Sequence, residues 1–363
     1  MIHIDGAQKS GSGTIVRFAV GLATLLGEEL HLTNIRAKRE KPGLRPQHLK
    51  AVQALQQICH GSLDGGEIGS AEIRFKPGGE IKCGHFEWDI GTAGSTTLLA
   101  MTLLPTACFS TGVMTLKISG GLFQDFAPSA YHMQNVLFPI LNKMGITTRL
   151  SIIRPGYVPR GGGIIQVEVE PVGGKIRPIS LTSQGKVTGI RGVALSSHLK
   201  ERRVSERMAE KCSELLKSNG YSAQIEIVHD TRALQRGAAL VLYAKTDSGC
   251  IMGVDRGGAP GRTSEEIGGD VARNLLEDLA TGATVDRYLA DQLIFYAALA
   301  DGVSQYRIPR LTEHVETNLW LVETILGAKA EVDKNLVKIR GIGYYSRLGG
   351  AASGEGWGGR RRG

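Results

Sequence analysis

The stretch Gly11-Ser12-Gly13-Thr14-Ile15-Val16-Arg17-Phe18-Ala19-Val20-Gly21-Leu22-Ala23-Thr24-Leu25-Leu26 decides how the fold is read. A small-residue turn opens into an apolar run, which predicts a helix over 15–26. A strand over 31–35 follows. A second helix then carries Leu49, Val52, Leu55 and Cys59 at steps of three and four, and an alternating strand covers 71–75. The pattern returns at Gly91-Thr92-Ala93-Gly94-Ser95, with a helix over 98–108 and a strand over 114–118. Its second helix carries Met133, Val136, Leu137, Ile140, Leu141 and Met144, kinked at Pro139, before strands over 147–153 and 164–169. A third copy has a helix over 288–299, a strand over 304–308, a helix with Leu319, Val322, Ile325 and Leu326, and one strand over 330–339. First and second helices lie about 30 residues apart in each copy, the length of a βαβ-type unit.

Residues 184–280 do not fit the repeat. They predict strands over 187–195, 224–228, 239–244 and 250–254, with helices around Val204–Leu216 and Glu265–Leu279. The expected architecture is therefore α/β (α+β): a large discontinuous domain of three repeated units over 1–183 and 281–343, and a smaller α/β domain inserted before the third repeat. Residues 344–363 are expected to form a disordered Gly/Arg-rich tail. Arg360-Arg361-Arg362 near its end reads first as solubilising, and second as a nucleic-acid arm.

The 363 residues include 49 glycines, about twice the usual share of ~7%, with no collagen period. An apolar fraction of 42% supports a sizeable core. The longest nearly apolar run, 98–109, holds Pro105 and is far short of the ~20 residues a membrane helix needs. Five scattered cysteines read as free thiols, and Met1–Asp5 has no signal-like pattern. The expectation is a cytoplasmic protein with no membrane contact. A net charge of +8 favours an anionic partner modestly. The chain has no G-x-x-x-x-G-K-[ST], H-E-x-x-H or G-x-S-x-G, which argues against phosphate-loop ATPases, zinc proteases and serine hydrolases.

Four clusters can carry chemistry. Asp5–Gly13 leads into a helix bearing Arg17, and free N–H groups at such a start suit an anion, although a plain strand-to-helix turn has the same pattern. Asn34–Arg39 with Pro42–His48 gathers Arg36, Lys38, Arg39, Arg45, Gln47 and His48, either a phosphate grip or an exposed basic loop. Ile90–Thr96 repeats the first logic, with Ser95 equally a helix cap. Leu311–Asn318 places His314 at a helix start, and a neutral imidazole is a competent nucleophile toward phosphorus; a cap or a satisfied polar residue is the plain alternative.

Taken together, Ile35-Arg36-Ala37 and Lys41-Pro42-Gly43-Leu44-Arg45-Pro46-Gln47-His48-Leu49 resemble RNA 3′-terminal phosphate cyclase. So do Asp5-Gly6, Thr92-Ala93-Gly94-Ser95, Ser119-Gly120-Gly121, Ala127-Pro128, Gly156-Tyr157, Pro159–Gly163, Tyr288–Leu293, and His314 with Thr317. The matches run in order as far as about Gly343. The resemblance implies an ATP-dependent, ligase-class reaction in RNA processing: a histidine takes AMP, passes it to an RNA 3′-phosphate, and a 2′,3′-cyclic phosphate forms. It places the nucleophile at His314, RNA-phosphate binding at Arg17, Arg36, Arg39, Gln47 and His48, and ATP binding at Pro128, Tyr288, Asp291 and Gln292. It also implies a divalent metal, Mg²⁺, as cofactor.

The chain departs from the family pattern in places. The usual Gly-Glu-Gly-Gly-Gly-Gln-Ile is Lys9-Ser10-Gly11-Ser12-Gly13-Thr14-Ile15, so Ser10 stands where a metal-binding Glu is usual. A usual Gln is Met101, Gly-Gly-Thr-Asn is Gly120-Gly121-Leu122-Phe123, and an Asp is Tyr131. The leading expectation is an active cyclase, with Lys9 replacing part of a metal's charge. The alternative is a non-catalytic, cyclase-like RNA-binding protein of ribosomal RNA processing or ribosome assembly. A sugar-phosphate transferase of similar architecture lacks support.

Overall fold

A computed structural model describes residues 1–125 and 127–345; the Gly/Arg-rich stretch from 346 onward lies outside them. Strands β1 (Ile2–Asp5) and β2 (Leu30–Thr33) run parallel because helix α1 (Gly13–Leu26) returns the chain between them. Helix α2 (Pro46–Cys59) follows, and β3 (Ser62–Asp64) and β4 (Ile73–Lys76) complete a sheet ordered β1-β2-β4-β3. The second unit repeats this: β5 (Gly84–Asp89), α3 (Thr96–Ala107), β6 (Met114–Gly120), α4 (Ala130–His132), α5 (Phe138–Lys143), β7 (Thr148–Arg154) and β8 (Gly163–Val169), ordered β5-β6-β8-β7.

The third sheet begins with β9 (Ser180–Leu181). An inserted α/β segment follows, with β10 (Val187–Ser197), α6 (Val204–Ser218), β11 (Ala223–Asp230), β12 (Gly237–Thr246), β13 (Ile251–Gly257) and α7 (Ser264–Ala280). The chain then returns through α8 (Leu289–Leu299), β14 (Val303–Arg307), α9 (Glu313–Leu326), β15 (Lys329–Asp333) and β16 (Leu336–Arg340). Read from its first strand, the third sheet is β9-β14-β16-β15, the order of the other two, with the same parallel first pair and antiparallel remainder. The insertion thus interrupts the third unit after its first strand instead of preceding it. Its own sheet is ordered differently, β11-β10-β12-β13.

Three further expectations need correction. The single strand over 330–339 is the hairpin β15–β16, turning at Lys334 with φ +56°. The kink at Pro139 is a π-helical turn, Met133–Leu137, directly before the proline, whose missing N–H breaks the regular ladder. Tyr344 belongs to the fold and not to the tail: its ring meets Phe109 edge-on at 4.6 Å and its hydroxyl donates to the Leu25 carbonyl.

Helix α1 is buried on every side except at Leu26, as its apolar run requires. It packs on α2, α3 and α9, with Phe18 stacked on Phe295 of α8 at 3.6 Å. One core spans the three repeated units, and the inserted segment has a separate one around Met208, Cys212, Leu240, Met252 and Leu275. Among the described residues, no helix is long and apolar enough to cross a membrane.

A buried polar network joins these parts. His132 at the end of α4 places Nε2 3.1 Å from Asp286 Oδ2, both side chains fully buried. Asp286 also accepts from the backbone N–H groups of Gly253 in β13 (2.8 Å), Tyr288 (2.8 Å) and Leu289 (2.9 Å). Asp255 in β13 accepts from the Ser129 N–H at 2.6 Å. Burial opposes charge on His132, but Asp286 and then Asp255 outweigh it, so its pKa is raised. A raised value contributes stability fully present below the ordinary histidine range, about 6.5, and lost as pH rises through the folded value. In urea denaturation, His132→Ala is expected to cost about 3–5 kcal/mol, because a buried carboxylate loses its partner. The stability gap between wild type and His132→Gln should be full below about pH 6.5 and narrow as pH rises above it.

Candidate active site

Four helix starts and one basic loop converge on a cavity of about 610 Å³, within the usual range of about 300–1,000 Å³ for small-molecule sites. Arg17 enters from α1, Arg36 and Arg39 from the β2–α2 loop, and Gln47 and His48 from the first turn of α2. Pro128 lies just before α4. Tyr288, Asp291 and Gln292 sit at positions i, i+3 and i+4 around the start of α8. His314 is the second residue of α9, exposed at the rim, with Thr312 capping the helix by accepting from the Val315 N–H at 3.3 Å. All ten residues singled out in the sequence as nucleophile or ligand contacts therefore line one cavity.

Local structure explains the placement. Arg36 takes a left-handed backbone, φ +53°, and its guanidinium donates to the carbonyls of Lys41 (2.6 Å) and Gly43 (2.9 Å). That folds the Lys-Pro-Gly turn around the arginine. Arg39 donates to the Ser10 carbonyl at 3.2 Å, tying the basic loop to the loop before α1. Gly13 is a close-approach position, since a Cβ there would collide with the His48 ring. Ser10 is buried; its hydroxyl donates to Ser12 Oγ at 2.9 Å and stands 2.9 Å from Thr317 Oγ1 on α9. Ser10 is thus a neutral clasp between the first and third units. Lys9 does not line the cavity; its carbonyl accepts from Lys38 Nζ at 3.1 Å.

The electrostatics are one-sided. Arg17, Arg36, Arg39, Arg287 and Arg310 face the cavity against one lining carboxylate, Asp291. Burial pushes Arg17 down to about 10, opposed by Asp291, so it stays cationic at neutral pH. Burial raises Asp291 to about 7, with Arg17 pulling the other way. His48 is driven down to about 3 by burial and then by Arg17, Arg36 and Arg45. His314 is lowered by desolvation, then by Arg17 and Arg39, against the pull of Glu313, and the positive end of α9 acts in the same sense. Both imidazoles are neutral where the guanidiniums are charged. Arg17 Nε, His48 Nδ1, Gln292 Oε1 and Asn318 Oδ1 are buried without partners among the described residues, so the walls hold unspent donors and acceptors.

Sequence reasoning missed Arg287 and Arg310 and gave no separate role to Thr312 and Asn318 within the Leu311–Asn318 cluster; all four line the cavity. Asn318 follows His314 by one helical turn, and Arg287 directly precedes the Tyr288 motif, which are the available signals. Met101 lines the cavity as an apolar wall. Phe123 and Tyr131 do not; they stack in an aromatic cluster with Tyr157. A larger cavity of about 890 Å³ near Tyr344 has neither arginine nor histidine in its walls, so chemistry and not volume picks the site. The donor set does not fit a protein-held divalent cation: Asp291 is the lone carboxylate, and no group of three or more His, Cys, Asp or Glu among the described residues is arranged around a common point.

The family model for RNA 3′-terminal phosphate cyclase matches residues 8–332. The chain belongs to this family. A cyclase of that name from Pyrobaculum neutrophilum is 35% identical over 347 residues, covering 94% of this chain and 99% of the relative. Those of Methanopyrus kandleri and Methanothermobacter thermautotrophicus are 36% and 37% identical, covering 92% of this chain and 95% and 96% of theirs. In this cyclase-family chain the His48 ring signals are expected to stay flat between about pH 5 and 8 by NMR titration. Gly13→Ala should displace that ring and weaken pyrophosphate binding about tenfold by calorimetry, about 1.4 kcal/mol.

Proposed function

We propose that this protein is an ATP-dependent RNA 3′-phosphate cyclase that works through a histidine–AMP intermediate on His314. One observation carries the reading: in a chain of the cyclase family, His314 and the arginines of the first unit open onto the same cavity. A ring nitrogen of His314 attacks the α-phosphorus of ATP with its lone pair. A P–N bond forms, the bond to the bridging oxygen breaks, and pyrophosphate leaves. An oxygen of the RNA 3′-phosphate then attacks the same phosphorus, releasing the imidazole and joining RNA to AMP through a new P–O–P bridge. Finally the vicinal 2′-hydroxyl attacks the RNA phosphorus, its proton passes to solvent, and AMP departs from the 2′,3′-cyclic phosphate.

Each step is phosphoryl or nucleotidyl transfer, so positioning and charge stabilisation dominate. Arg17 and Arg39 stand where they act electrically on His314, which suits them to hold the RNA 3′-phosphate beside the adenylylated nitrogen. Arg36, Gln47 and His48 take the RNA 3′-phosphate. On the opposite wall, Pro128 and Tyr288 offer flat apolar surface to a base, and Gln292 with Asn318 offers unpaired acceptors to ribose hydroxyl or amino donors.

The second reading, an RNA-binding relative without catalysis, is favoured by the neutral Ser10 clasp. Incubation with α-labelled ATP and a 3′-phosphorylated RNA separates the two. The cyclase reading expects a labelled protein adduct and an RNA end that resists phosphatase; RNA binding with no adduct gives the second reading instead. His314→Asn should remove the adduct while the protein keeps its melting temperature. Arg39→Ala should raise KM for the RNA about tenfold, the scale of one lost charge-assisted contact. Because the pKa of His314 is lowered, the adduct rate should be flat above about pH 6.5 and fall only well to the acid side of it.

A further inference from the structure

A second cavity, about 550 Å³, lies in the groove between the second unit and the inserted segment. Its second-unit wall is Tyr157, Val158 and Pro159, and its far wall is built from the starts of β12, α6 and α7. The floor is fixed: the Tyr157 hydroxyl pairs with Ser197 Oγ at 2.8 Å, and Gln235 Nε2 donates to the Tyr157 carbonyl at 2.6 Å.

Four arginines line this groove, Arg202, Arg207, Arg236 and Arg262, and no carboxylate does. Glu265 holds Arg207 through two bonds of 2.8 and 2.9 Å, and Asp125 holds Arg262 at 2.9 and 2.7 Å. Arg202 and Arg236 are exposed and have no ion-pair partner among the described residues. Between the cations run flat apolar faces, Val158, Pro159, Ala259 and Pro260. Unpaired cations spaced along apolar walls are what a single RNA strand meets, phosphates on the charges and bases on the walls.

The groove and the candidate active site flank one turn of the second unit. A Cβ at Gly94 would stand 3.7 Å from that of Gln47, which lines the first cavity. One at Gly161 would stand 2.9 Å from the Thr92 carbonyl oxygen, and Gly161 is two residues from Pro159. The turn Thr92–Gly94 therefore lies between residues that border the two cavities.

We propose that this groove is a second RNA-binding site, holding the strand upstream of its 3′-phosphate while that end occupies the His314 cavity. The inference rests on the cyclase reading for the identity of the strand. It assigns the inserted segment a role in substrate length and grip.

The test compares wild type, Arg202→Glu/Arg236→Glu and Arg202→Lys/Arg236→Lys on a 3′-phosphorylated dinucleotide and dodecamer. Fluorescence anisotropy reads binding and phosphatase resistance reads cyclisation. The Glu pair should bind the dodecamer about tenfold more weakly, with a salt slope lower by about two, and the Lys pair should recover most of that affinity. The dinucleotide should lose about twofold or less. Equal losses on both lengths, or no loss on the dodecamer, would overturn the proposal, as would equal displacement of the dodecamer by an acidic peptide of matched charge. If the Glu pair does not fold, an Ala pair carries the comparison with a slope lower by the same amount. Absence of cyclisation by wild type sinks the cyclase reading, while anisotropy still decides the groove.

Discussion

The contact between His132 and Asp286 is the joint on which the arrangement of the chain depends. It links α4 of the second unit to the segment that opens α8 of the third, and the Gly253 N–H brings β13 of the inserted segment to the same carboxylate. Two of the cavity's walls hang from this contact and its neighbour Asp255: Pro128 directly precedes Ser129, whose N–H is held by Asp255, and Tyr288 is fixed through its backbone to Asp286. The rings of His132 and Tyr288 meet edge-on at 5.2 Å. A charge buried this deeply is tolerated only with its partners in place, so the network specifies one docking of three sequence-distant pieces where apolar packing alone would accept several.

The cavity itself is organised by an opposition of charge states. Its guanidiniums remain cationic, and the same field, with desolvation, keeps both imidazoles unprotonated. A nucleophile needs a free lone pair, and a phosphate needs fixed positive charge nearby. The arrangement supplies both because arginine cannot shed its proton in this range while histidine can. Asp291, with a value near 7, changes its charge around neutrality, and Arg17 is the cation that pulls it toward the ionised form.

Much of this was legible in the chain. The small-residue turns before α1 and α3 were, because glycine and serine ahead of a 3.6-residue apolar period have few other uses. Arg17, Arg36, Arg39, Gln47, His48 and His314 stood out in clusters at helix starts, whereas Pro128, Tyr288, Asp291 and Gln292 came only through the family resemblance. Short strands were not legible. β9 has two residues, and it exists only because Leu181 finds Tyr306 of β14. The hairpin β15–β16 was hidden because apolar alternation passes through the turn at Lys334 without a glycine or proline to mark it. Arg287 and Arg310 look like ordinary surface cations in sequence, and only tertiary packing brings them to the cavity wall. Ser10 reads as a lost carboxylate, yet its meaning, a clasp to Thr317 across 307 positions, lies wholly in the packing.

The division of the third sheet by the inserted segment also orders events during translation. Arg17, Arg36, Arg39, Gln47 and His48 all emerge within the first unit, and that unit can close its own sheet early. The strand Ser180–Leu181 must wait, with an exposed edge, until the whole insertion and α8 have left the ribosome and β14 arrives to cover it. His314 comes later still. A nascent chain therefore holds the cavity's first-unit arginines well before it holds His314, and the two meet only when the last unit has locked into place.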